Sequence, residues 1–123
     1  MVKKRILVID DEVDLSELIT LLLKKEPFEV FYVSNLLEAK IQINSIISDI
    51  VILDYILPDG SGLEFFRNNK LLLSESMVIF MTADSSPKLH AEALESGIDF
   101  YLPKPFDVWS LREIIMKIPI NTY

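Results

Sequence analysis

Five short apolar runs punctuate this chain, at residues 6–9, 30–33, 50–53, 77–81 and 98–102, and between them the apolar positions spread out to a helical spacing. The first, third and fourth runs are apolar at every position and rich in Val and Ile, the composition of strands covered on both faces. The last run, Ile98-Asp99-Phe100-Tyr101-Leu102, carries an acid and a phenol, which predicts a strand at the edge of the sheet.

The intervening stretches predict helices. Leu15, Leu18, Ile19 and Leu22 form one apolar stripe, with Asp14 and Glu17 as a capping pair in front. Leu36, Ala39, Ile43, Ile46 and Ile47 form a second stripe, opened by Asn35 with Glu38. Ser61-Gly62-Leu63-Glu64 has the capping-box pattern ahead of Phe65 and Phe66. Ser86-Pro87 is a cap followed by a first-turn proline, and Gly97 suits the end of that helix. Asp107 opens a last helix with Val108, Leu111, Ile115 and Ile118 along one side. Strict alternation of strand and helix implies an α/β fold with a parallel sheet wound right-handedly and helices on both faces. The expected arrangement is five strands in the order 2-1-3-4-5 with five helices, a flavodoxin-like doubly wound sheet.

The 123 residues fit one domain over 1–123, at roughly 100–200 residues per domain, and no linker, repeat or low-complexity segment divides them. Twelve Lys and Arg stand against 19 Asp and Glu, a net charge of −7 that argues against direct nucleic-acid contact. The absence of Cys removes disulfides, thiolate metal sites and Cys nucleophiles, and a single His removes any two-His metal site. The apolar run after Lys3-Lys4-Arg5 stops at Asp10, short of a signal peptide's core of about 7–15 residues. No stretch approaches the ~18–20 apolar residues of a membrane span. A soluble cytoplasmic protein is expected. Lys3-Lys4-Arg5 and Lys24-Lys25 read as solvated ends, the second pair suiting a helix C-terminus.

Chemistry-bearing residues collect at the strand ends. Asp10-Asp11-Glu12 follows the first strand, Asp54 the third, Thr82 closes the fourth, and Lys104 lies just past the fifth. In an open α/β sheet the carboxyl ends of the strands form the ligand crevice, at the point where strand order reverses. With order 2-1-3-4-5, Asp10, Asp11 and Asp54 converge there. Two unit charges ~4 Å apart repel by about 4 kcal/mol at an effective dielectric of ~20. Carboxylates and a backbone carbonyl suit a hard divalent cation, and Mg²⁺ binds such sites with waters and a phosphate completing its shell. Lys104 adds a positive charge and Thr82 a hydroxyl. The set points to phosphoryl chemistry with an Asp as acceptor.

These residues resemble the receiver domain of two-component response regulators, of the chemotaxis-regulator type. Asp10-Asp11 matches the family's acidic pair. Asp54-Tyr55-Ile56-Leu57-Pro58-Asp59-Gly60-Ser61-Gly62 matches its acceptor segment, with Pro58 and Gly62 at the family's offsets. Thr82-Ala83, Lys104-Pro105 and the aromatic Tyr101 match its remaining motifs. The resemblance implies that Asp54 accepts phosphate from a histidine kinase or a phosphotransfer protein in a phosphorelay. It implies that Asp11 binds Mg²⁺ directly, that Asp10 assists, and that Asp54 and the main-chain carbonyl of Ile56 complete the protein's share. Thr82 would bond the phosphoryl oxygens and Lys104 would neutralise another. The Lys104-Pro105 bond would be cis. On phosphorylation Thr82 would be drawn inward and Tyr101 would turn from exposed to buried, rearranging the face of the fourth helix, fifth strand and fifth helix that partners read.

Ile56 is apolar where many members of that family carry a polar residue near the attacking water, so it is expected to shield the acyl phosphate. Asp84, two after Thr82, is an acid at a position the family pattern leaves open. His90 reads as a plain surface residue and Trp109 as packing or interface. Three rivals remain to be weighed. A haloacid-dehalogenase-type phosphatase needs a second Asp two residues after its nucleophile, where this chain has Ile56. A flavodoxin-like cofactor binder needs a Ser, Thr and Gly loop where this chain has three acids. A pseudo-receiver would dock partners without phosphorylation. On the resemblance the chain is a switch that catalyses only its own phosphorylation and dephosphorylation, read by a downstream protein or effector domain. Dimerisation through the last helices stays open. The last helix is expected to end near Lys117 or Ile118, and residues 119–123 are too short for an effector.

Overall fold

A computed structural model describes residues 4–24 and 26–119. Lys3, Lys25 and residues 120–123, among those read above as solvated ends and tail, lie outside the described residues. The strands are β1 (Lys4–Ile9), β2 (Phe28–Val33), β3 (Ile50–Asp54), β4 (Met77–Thr82) and β5 (Phe100–Pro103). The helices are α1 (Val13–Leu23), α2 (Leu36–Ser45), α3 (Gly62–Asn68), α4 (Pro87–Ser96) and α5 (Val108–Lys117). The sheet is parallel throughout, in the order β2-β1-β3-β4-β5, with β5 at an edge as its mixed composition predicts.

Because strand side chains alternate between faces, the sheet sorts its apolar residues into two cores. Leu7, Ile9, Val51, Leu53, Val78 and Phe80 pack with residues of α2, α3 and α4. Ile6, Val8, Ile50, Ile52, Ile79 and Met81 pack with Ile19 and Leu23 of α1 and Leu111 and Ile115 of α5. Both faces are covered, so the three inner strands β1, β3 and β4 carry the unbroken apolar runs.

Four of the expected caps form. Asn35 accepts from the Glu38 N–H, Ser61 from Glu64, Ser86 from Leu89 and Asp107 from Trp109. Gly97 is left-handed at φ 102°, and the Ile98 N–H bonds back to the Ala93 carbonyl. That bond draws Ile98 into the helix cap, so β5 starts at Phe100 rather than at Ile98.

Other expectations are corrected. No Asp14–Glu17 capping pair opens α1. The helix starts at Val13 with Glu12 at its N-cap and no side-chain cap bond, because it springs straight from the strand end. Its core face runs through Ser16, Ile19 and Leu23, and Leu18 is 48% exposed. Helix α2 stops at Ser45, so Ile46 is an extended cap and Ile47 is exposed, since the chain must straighten to enter β3 at Ile50. Lys4 is no solvated end. It is 3% exposed, and its ammonium donates to the carbonyls of Ile118 (2.6 Å) and Ile115 (3.4 Å), the negative end of α5. Burial holds its pKa below the ordinary lysine value, against the pull of Asp49. A feature with no signal in the apolar pattern is a two-residue antiparallel ribbon, Ile56–Leu57 against Gly60–Ser61, between β3 and α3.

Candidate functional site

The ends of β1 and β3 lie side by side, with Ile9 opposite Leu53. The next residues, Asp10 and Asp54, therefore open into one space at the reversal point of the sheet. Asp10 is completely buried. Its Oδ1 accepts from the Glu12 N–H at 2.9 Å, while its Oδ2 has no hydrogen-bond partner and lies 3.7 Å from the Lys104 ammonium. Asp54 closes β3. Its Oδ1 accepts from the Tyr55 N–H at 2.8 Å and its Oδ2 accepts from Lys104 Nζ at 3.3 Å.

Lys104 reaches in from beyond β5, its N–H bonded to the Thr82 carbonyl at 2.7 Å and its bond to Pro105 cis. Its ammonium also meets Glu12 Oε1 at 3.3 Å. Three carboxylates thus share one cation. Asp10, Glu12 and Asp54 each offer an oxygen within 4.8 Å of the other two. Asp11 is exposed and stands outside that group. Glu12 is exposed as well, with its side chain 60% accessible, and it was legible only as part of the acidic run, because the path from β1 into α1, not composition, decides which acid reaches Lys104.

Burial, followed by the neighbouring Asp54 charge, pushes the Asp10 carboxyl up to about 6 despite the Glu12 N–H and Lys104. For Lys104, burial pulls downward, but the Asp10 and Asp54 carboxylates outweigh it and hold the ammonium above its ordinary value. The site is therefore short of positive charge. A buried carboxylate oxygen without a partner is costly, and an all-oxygen set of three acids fits a hard divalent cation such as Mg²⁺.

Thr82 is buried at the end of β4, and its hydroxyl oxygen accepts from the Asp84 N–H at 2.9 Å. Tyr101 is half-buried. Its hydroxyl donates to the Asp84 carbonyl at 3.0 Å, and its ring stacks on His90 with centroids 4.2 Å apart. The loop after β4 thus joins the Thr82 hydroxyl to the Tyr101 hydroxyl through the backbone of Asp84. Ile56 lies on the ribbon with its side chain 70% exposed. Next to Lys104 a cavity of about 320 Å³ is lined by Glu12, Leu15, Ala83, Pro105 and Phe106.

Comparison with known proteins bears on the family and the fold. Residues 6–116 match the response regulator receiver domain family. The phosphate regulon transcriptional regulatory protein PhoB of Klebsiella pneumoniae is 34% identical over 120 residues, covering 94% of this chain and 50% of that protein. This chain thus spans about half the length of that relative. The sporulation initiation phosphotransferase F of Bacillus subtilis is 29% identical over 123 residues, covering 99% of each chain. Among solved structures, a two-component response regulator from Clostridium difficile superposes with a TM-score of 0.89 at 27% identity, covering 94% of this chain and 95% of that one. A CheY-like receiver domain protein from Methanospirillum hungatei gives 0.88 at 27% identity, covering 94% and 93%.

Proposed function

This chain belongs to the response regulator receiver domain family, and on that footing we propose that it is a phosphorylation-dependent switch of a two-component system with Asp54 as phosphoacceptor. The observation that carries the reading is the Asp54 carboxylate held at 3.3 Å by the Lys104 ammonium, beside a buried Asp10 oxygen that lacks a partner.

Asp11 would bind Mg²⁺ directly from the exposed rim, with Asp10, Asp54 and the Ile56 main-chain carbonyl completing the protein's share and Glu12 close by. When bound, the cation supplies the positive charge that a dianionic phosphoryl group and several carboxylates together require. An Asp54 oxygen attacks the phosphorus of a phosphohistidine on a histidine kinase or phosphotransfer protein. The P–N bond breaks, a P–O bond forms, and the electron pair leaves with the imidazole, which takes up a proton. Lys104 stays near the acceptor oxygen and balances part of the charge that arrives. The Thr82 hydroxyl, now an acceptor from Asp84, turns to donate to a phosphoryl oxygen. That movement loosens the Asp84 loop, and with it the bond that holds the Tyr101 hydroxyl, so Tyr101 swings into the space behind Thr82.

The consequence is a shift between two states of the α4–β5–α5 face, read by a downstream protein or effector domain. The chain in this reading catalyses only its own phosphorylation and dephosphorylation. Among the described residues no helix is long and apolar enough to cross a membrane, and we place the switch in the cytoplasm. The test is intact-mass spectrometry after incubation with Mg²⁺ and acetyl phosphate. One phosphoryl group on the wild type and none on Asp54→Asn supports the reading. An unmodified wild type leaves instead a docking module that binds partners without phosphorylation.

A further inference from the structure

Asp59 sits at the tip of the ribbon that follows the acceptor, and its carboxylate reaches across to another element. Oδ1 accepts from the Leu36 N–H at 2.8 Å and Oδ2 from the Leu37 N–H at 3.0 Å. These N–H groups open α2, where a helix leaves its donors unpaired and its end positive. Asn35 supplies a separate cap, accepting from Glu38 at 2.8 Å. Helix α2 is thus capped twice, once from its own N-cap and once by a residue 22 and 23 positions further along the chain. The Leu36 N–H, followed by that of Leu37, holds the Asp59 carboxyl below the usual range, so the clasp is charged at neutral pH. Gly60 follows at φ +150°, and a β-carbon there would lie 3.2 Å from a Leu36 methyl, so the tip lies close against the first turn of α2.

The root of the same segment is tied elsewhere. The Tyr55 N–H donates to Met81 at 3.0 Å and the Gly62 N–H to Tyr55 at 2.6 Å. Between root and tip, Ile56 and Leu57 pair with Ser61 and Gly60, and so short a ribbon is marginal without outside support. We infer that Asp59 is a positioning residue, clasping the ribbon to α2 and so holding the Ile56 main-chain carbonyl in place for the cation. The inference rests on the proposed role of that carbonyl. By linkage the effect is reciprocal: whatever binds and steadies the ribbon also steadies the first turn of α2.

The experiment titrates the metal-free chain with magnesium chloride by calorimetry and follows amide exchange of Leu36 and Leu37. Asp59→Ala is expected to weaken Mg²⁺ binding about tenfold, the scale on which supports of a metal ligand act. Asp59→Asn, which keeps an acceptor oxygen, is expected to fall between it and the wild type. Mg²⁺ is expected to slow exchange at Leu36 and Leu37 in the wild type and not in Asp59→Ala. The control is Asn35→Ala, which uncaps α2 without touching the ribbon. It is expected to lower thermal stability while leaving Mg²⁺ affinity unchanged. Equal affinity in Asp59→Ala and wild type, or an equal loss in Asn35→Ala, overturns the inference and leaves Asp54 as phosphoacceptor untouched. A wild type that neither binds Mg²⁺ nor accepts phosphate overturns both.

Discussion

Gly62 packs so tightly beneath Asp54 that a β-carbon built on it would lie 1.9 Å from the Asp54 carbonyl oxygen. The contact is with backbone, at the point where β3 delivers the acceptor, so no side-chain rotation relieves it. Gly62→Ala is expected to cost about 3 kcal/mol or more of stability and to displace the end of β3. Urea unfolding measures the first effect, and loss of phosphorylation by acetyl phosphate measures the second. An alanine variant with wild-type stability and phosphorylation would show that the strand end yields freely.

The buried Asp10 carboxyl makes stability depend on pH in a direction unusual for an acid. Its folded-state value of about 6 lies above the ordinary 3.8, so between those values the native state binds more protons than the unfolded chain. Its contribution therefore grows more favourable as pH falls through about 6 and levels off below about 4. Lys104, Asp54 and Glu12 are the charged groups that face it. With chelator present, Asp10→Asn is expected to gain stability near neutral pH, by at most about 3 kcal/mol, and to lose the acid-side rise. Denaturant midpoints at about pH 5 and pH 7, with the variant compared against the wild type, check this. A difference that does not change with pH would contradict it.

The exposed side chain of Ile56, on the ribbon two residues past the acceptor, presents no hydrogen-bonding group to an attacking water. Ile56→Asn is expected to speed loss of the phosphoryl group by about tenfold, below the roughly 10²–10⁴-fold of a general base because an amide orients the water without taking its proton. The decay of phosphorylated protein after removal of the donor, followed by mass, is the measurement. An unchanged rate removes the shielding role.

Tyr101 is held by a hydroxyl bond to Asp84 and a ring stack on His90. Tyr101→Phe keeps the stack and is expected to cost about 1 kcal/mol or less, the scale of one hydrogen bond. In the wild type, beryllofluoride, a phosphoryl mimic, is expected to move the His90 ring-proton resonances toward those of Tyr101→Ala, because the stack breaks when Tyr101 turns. Resonances that stay in place while the mimic binds would mean that Tyr101 does not switch.

Much of this protein is written locally. Unbroken runs such as Ile50-Val51-Ile52-Leu53 mark strands covered on both faces, and caps such as Asn35, Ser61, Ser86 and Asp107 act within a few residues of themselves. Placing Asp10, Asp54, Thr82 and Lys104 at strand ends needed only those runs and the rule that such ends form the crevice. What the tertiary structure decided depends on rotation and on distant partners. Which acid of Asp10-Asp11-Glu12 turns inward follows from how α1 leaves β1. Lys4 is buried because the end of α5 needs a donor there, Leu18 is exposed because α1 packs through Ile19 and Leu23, and Asp59 finds its donors on α2. Local sequence sets backbone preference through nearest neighbours, whereas the direction of a side chain is settled by the packing of elements far apart along the chain, which no short-range pattern encodes.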